Sequence, residues 1–167
     1  MPGCVLNASG AQFDVDAFIK DSTWLELAST FHKGDVTKLR SRPVHERSGL
    51  AVGISDSDED DLEPQILDAT EFLQQERAEI ERLAGFPGVD SLELSIGLFW
   101  CRDTLCQFHT LPSAFLRLAG ELGVAVTLCV YGVSEDEREA EPGASPNGGP
   151  ATSLAGSGVS EGPPSVS

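Results

Sequence analysis

Three consecutive segments decide the fold: Ser91-Leu-Glu-Leu-Ser-Ile-Gly-Leu-Phe-Trp100, Leu111-Pro-Ser-Ala-Phe-Leu-Arg-Leu-Ala-Gly-Glu-Leu-Gly123, and Val124-Ala-Val-Thr-Leu-Cys-Val-Tyr131. The first alternates polar and apolar residues, the period of a half-buried strand, and predicts one over 92–101. The second has helical spacing. Phe115, Leu118, Ala119 and Leu122 share its buried face, Thr110 is a candidate cap, Pro112 suits the first turn and Gly123 ends it. The third is a continuous apolar run, which predicts a central strand covered on both faces. Between the first two, Arg102-Asp-Thr is polar enough to turn, so 105–109 is expected to return as a short strand. Strand, turn, strand, helix, strand is the signature of an α+β domain.

Working outward, 4–8 is a short apolar run that suits a first strand. Asp14 can cap a helix over 15–22, with Ala17, Phe18 and Ile19 on its apolar face. Residues 28–34 read as an edge strand ending at Gly34, and 49–55 as the next strand, in which Gly53 suggests a bulge. The longest helix is expected over 64–84. Pro64 lies in its first turn, and acidic residues ahead of it complement the helix dipole. Ile66, Ala69, Leu73, Ile80 and Leu83 form its stripe, Arg77 fills the gap, and Gly85 stops it. The expected order is β-α-β-β-α-β-β-α-β. This is a mixed, mainly antiparallel sheet with helices packed on it, a ferredoxin-like relative. One domain is expected over 1–133. Residues 134–167 are acidic at first and then rich in Gly, Pro and Ser, the composition of a disordered tail.

The 167 residues carry a formal net charge of −16, a surplus that repels nucleic acid and anionic lipid and attracts a basic protein. No charged leader followed by an apolar stretch opens the chain, and no run reaches the roughly 18 apolar residues of a membrane span. These features predict a cytoplasmic chain with reduced thiols at Cys4, Cys101, Cys106 and Cys129.

Candidate chemistry is sparse. Asp56, Asp58 and Asp60 imitate the opening of a calcium loop, but Asp61 stands where its glycine belongs and Leu67 where its closing glutamate belongs. Cys101, Cys106 and His109 lack a fourth zinc ligand. On a strand, Cys106 and His109 would point to opposite faces, which excludes a dyad there. A hairpin could still set Cys101 against Cys106, a weak redox possibility. There is no Gly-x-Gly-x-x-Gly, phosphate loop or nucleophile elbow. No catalytic residue, metal or cofactor is assigned. The segment 33–47 gathers Lys33, Lys38, Arg40, Arg42 and Arg47 beside His32 and His45, reads as an exposed loop or ragged hairpin, and could grip an anion or a partner. If its two sides pair, His32 and His45 approach each other. Trp24 is a further candidate contact, although core packing is the expectation for both Trp24 and Trp100.

Phe13-Asp-Val-Asp-Ala-Phe, Phe31-His-Lys-Gly-Asp, Gln65-Ile-Leu-Asp-Ala-Thr-Glu-Phe-Leu, Leu111-Pro-Ser-Ala-Phe-Leu-Arg-Leu-Ala-Gly and Val130-Tyr131 occur in that order. In this the chain resembles an uncharacterised family of small bacterial proteins, one of the domains of unknown function, over roughly 4–132. The resemblance implies a fold and a bacterial cytoplasmic setting and carries no activity. Size, charge and missing motifs favour a non-enzymatic binding protein, of immunity type, for a basic protein partner. The alternative is a sensor of a small anionic ligand. A third option is a thiol enzyme or hydrolase with a dispersed site using Cys106 or a histidine.

Overall fold

The computed structural model describes residues 3–37, 44–55, 57, 61–100 and 105–132. Lys38, Arg40, Arg42, Asp56, Asp58, Asp60, Cys101, the expected turn at 102–104 and the tail at 134–167 lie outside the described residues.

The elements are β1 (Cys4–Gly10), α1 (Val15–Lys20), β2 (Ala28–Phe31), β3 (Ser48–Ser55), α2 (Leu62–Gln75), α3 (Arg77–Ala84), β4 (Ser91–Trp100), α4 (Ser113–Glu121) and β5 (Ala125–Gly132). They build a five-stranded sheet in the order β2-β3-β1-β4-β5. The pairs β2–β3, β3–β1 and β1–β4 are antiparallel, and β4–β5 is parallel. The first four strands and their helices reproduce the ferredoxin-like βαββαβ arrangement. Helix α4 then carries the chain back, so that β5 adds alongside β4 in the same direction.

Alternation along the central strands decides where the core lies. Cys4, Leu6 and Ala8 of β1, Leu50 and Val52 of β3, and Leu92, Leu94 and Ile96 of β4 point to one side. There they meet Phe18, Ile66, Ala69, Leu73, Ile80, Leu83, Phe115 and Ala119 from the helices. Phe13, Phe18 and Phe86 pack edge to face with centroids 5.3–6.1 Å apart, and the Arg82 guanidinium lies 3.8 Å above the Phe18 ring. Asp14 caps α1 by accepting from the Ala17 N–H at 3.0 Å. Near Gly53 the register slips: Cys4 faces Ser55 while Val5 faces Gly53, so Ile54 is the extra residue of a bulge.

Several expectations are corrected. The apolar run at 124–131 forms an edge strand, mostly exposed, in place of a central one. An apolar run cannot distinguish a strand between two neighbours from one held on a single side by a parallel crossover. Residues 105–109 form no strand, and no described residue bonds the backbone of 105–111. Thr110 does not cap α4. Pro112 occupies the cap position without a side-chain bond, outside the helix. The helix expected over 64–84 starts at Leu62, capped by Asp61, and relaxes at Glu76. Bonds from Glu76 N to Phe72 O and from Ile80 N to Glu76 O carry the axis across that break, which keeps the stripe on one side. Helix α1 ends at Lys20. Trp24 is buried at 1% exposure, whereas Trp100, at the last position of β4, is 37% exposed where the helical cover runs out.

Candidate interaction site

Among the described residues the helices cover one side of the sheet. On the other, Val5, Asn7 and Ser9 of β1 stand beside Ala51 of β3 and Glu93 and Ser95 of β4, all half-buried. Asn7 Nδ2 donates to Ser95 Oγ at 3.2 Å, and Ser95 Oγ donates to Glu93 Oε1 at 2.9 Å. Glu93 and Asn7 are directly paired across the ladder, as are Ser95 and Val5. The hydroxyl already gives its proton to Glu93 and receives one from Asn7, and no described imidazole bonds to it. At one end Phe31 crosses Gly49, where a Cβ would come within 2.5 Å of the ring, and His45 stacks on Phe31 at 4.4 Å. At the other, Phe99 and Tyr131 meet edge to face at 6.3 Å.

A concave feature lies on the helical side. The coil at 108–112 runs past the first two turns of α2 and leaves a groove of about 390 Å³. Leu62, Ile66, Leu67, Phe108 and Pro112 supply its apolar wall, and Asp61, Glu63, His109 and Thr110 its polar rim. Leu67 is 63% exposed and Phe108 91% exposed. The groove exists because 105–109 does not pair into the sheet and α2 begins two residues earlier than its proline indicates.

The basic segment forms a hairpin as far as it is described. Gly34 N donates to His45 O and His45 N to Asp35 O, each at 2.8 Å, and Val36 bridges Val44. The two sides therefore pair, and both histidines act on Asp35. His32 faces carboxylates: Nε2 lies 3.1 Å from Asp16 Oδ2 and Nδ1 3.4 Å from Asp35 Oδ2. The hydrogen bond to Asp16, with help from Asp35, holds its pKa above the ordinary value. The bond from the His32 backbone N–H, and after it the His32 ring, holds Asp35 below the usual carboxylate range. Arg47 lies 3.8 Å from Asp90, the Lys33 N–H donates to Ser48 Oγ at 3.1 Å, and His45 pairs through its backbone with Gly34 and Asp35. Trp24 is remote from solvent and donates from Nε1 to Glu76 Oε2 at 3.0 Å.

Cys106 and His109 are both exposed and joined by no hydrogen bond. Cys4 is buried, and burial, then the charge of Asp68, pushes its thiol up to about 12, which leaves it protonated and inert. Among the described residues no group of three or more His, Cys, Asp or Glu side chains is placed to hold a metal ion. Among the same residues no helix is long and apolar enough to cross a membrane.

Sequence reasoning missed four features. Glu93 and Ser95 were visible as the polar half of an alternating strand, but Asn7 as their neighbour was not. Asp16 gave no signal as the partner of His32, because the two meet only through tertiary folding. Gln65 is fully buried and donates from Nε2 to Gly97 O at 3.0 Å, tying α2 to β4. Phe108 lines the groove because the strand expected over 105–109 does not form. In comparisons with known proteins, no family model, no curated protein and no solved structure matches this chain.

Proposed function

We propose that the chain is a non-enzymatic binding protein of immunity type, whose acidic surface docks a basic partner protein. One observation carries this reading. Between Arg47 and Arg77 the chain holds nine Asp and Glu residues and no Lys or Arg. Within that run α2 exposes Glu63 and Glu71 to solvent. A field of one sign steers an opposite partner and raises its association rate, an effect that falls with salt. The reactive groups point the same way. The Cys4 thiol is inert, and Ser95 is saturated by Asn7 and Glu93.

The test is affinity capture at low ionic strength with the full chain as bait. A protein recovered in stoichiometric amount should re-bind in purified form, with affinity falling as salt rises. An adjacent toxin reading frame in the genome would supply the specific partner. Repeated recovery of no such protein, at any ionic strength, would end the proposal. The anion-sensor alternative gains little from the described residues, since His32 and Arg47 face carboxylates.

A further inference from the structure

Resting on that reading, we infer that the groove between α2 and residues 108–112 is the docking point, and that its occupant is a lysine- or arginine-rich segment of a partner protein carrying one large apolar anchor. The wall is built for an anchor. Leu62, Ile66, Leu67, Phe108 and Pro112 form it, and Leu67 and Phe108 stand 63% and 91% exposed. Covering two such side chains removes from water apolar surface that the monomer leaves uncovered. The volume of about 390 Å³ accommodates a side chain and its immediate neighbours, not a folded domain.

Charge selects what the anchor belongs to. Asp61 and Glu63 stand at the α2 end of the rim, and among the described residues no Lys or Arg lines the groove. A phosphate or an acidic peptide meets those carboxylates and is repelled. At the start of α2 the Asp61 carboxylate already accepts from the Glu63 N–H at 3.2 Å, which sets a negative charge where an anion would dock. A second copy of the chain arrives with the same net charge of −16. A cationic segment is attracted, and its flanking ammonium or guanidinium groups reach Asp61 and Glu63 while the anchor enters between Leu67 and Phe108. The backbone of 105–111 bonds to no described residue, so an extended occupant can also add main-chain hydrogen bonds along it.

The experiment titrates the isotope-labelled full chain with a synthetic lysine-rich peptide bearing one central tryptophan, followed by NMR and by calorimetry. Shifts are expected at 61–67 and 108–112. Leu67→Ser and Phe108→Ser should each weaken binding by about tenfold or more, since both truncate an exposed anchor contact. Glu63→Lys should do the same, while Glu26→Lys, an equal change of net charge elsewhere, should alter it by less than about twofold. Replacing the tryptophan with serine, or the lysines with glutamate, should abolish binding. Binding with shifts confined to the open sheet face, or unaffected by the three groove variants, would overturn the groove and leave the acidic docking reading standing. Absence of binding by any lysine-rich peptide, together with recovery of no basic partner, would overturn both. Circular dichroism of each variant confirms that the fold is retained.

Discussion

Trp24 holds the connection between α1 and β2 against the break between α2 and α3, and replacing it tests how that break is stabilised. Its ring is 1% exposed and lies 5.7 Å from Phe72, and its indole N–H donates to Glu76 Oε2 at 3.0 Å. Trp24→Phe keeps an aromatic ring and removes the donor. Hydrogen bonds to charged groups contribute about 1.5–3 kcal/mol. Glu76 is half-buried and regains water when the donor is lost, so the lower part of that range applies, about 2 kcal/mol. Trp24→Ala also leaves a cavity and should cost about 3–5 kcal/mol. A domain of this kind has only about 5–15 kcal/mol to lose. Urea melts followed by far-ultraviolet circular dichroism measure both variants. Trp100 remains as an independent fluorescence probe. A cycle with Glu76→Ala should give a coupling of about 1 kcal/mol, because the two side chains share one bond. If Trp24→Phe melts within about 0.5 kcal/mol of the parent, or the cycle is additive, the indole–carboxylate bond does not hold the break together.

The remaining predictions concern titration, thiols and turns. The folded pKa of His32 is raised above its ordinary value of 6.5, so its protonated form favours the folded hairpin. That contribution is complete below the unfolded value and disappears as pH rises through the folded one. NMR titration of the imidazole should place the midpoint above 6.5 and move it down in Asp16→Asn, and an unchanged midpoint would dismiss the pairing. Cys106 is exposed and Cys4 buried with its thiol pushed up to about 12, so a disulfide reagent at neutral pH should label Cys106 in the native protein and Cys4 only in denaturant. Labelling of native Cys4 would contradict the packing of β1. Gly88 has φ 86° and a Cβ there would stand 2.3 Å from Gln12 O, whereas Gly123 has φ 69° with open space around it. Gly123→Ala should cost about 1–2 kcal/mol from backbone strain alone, and Gly88→Ala distinctly more in the same melts. Equal costs would show that the turn at Gly88 yields.

The sequence by itself determined which way residues face along β4 and along the α2–α3 stripe. Alternation from Ser91 to Leu98 put Leu92, Leu94, Ile96 and Leu98 in the core and Glu93 and Ser95 on the far side. The stripe from Ile66 to Leu83 survived even the relaxation at Glu76, and Asp14 capped its helix. These are local properties, fixed by the periods of the backbone and by the reach of a side chain to its own peptide groups. Only the tertiary structure decided which elements became neighbours. It placed β5 at the edge, left 105–111 outside the sheet, brought Asp16 to His32 across sixteen positions, and opened a groove beside Leu67 and Phe108. Such pairings depend on loop closure and on competition among strands for the same ladder, and neither is written in the period of any single segment.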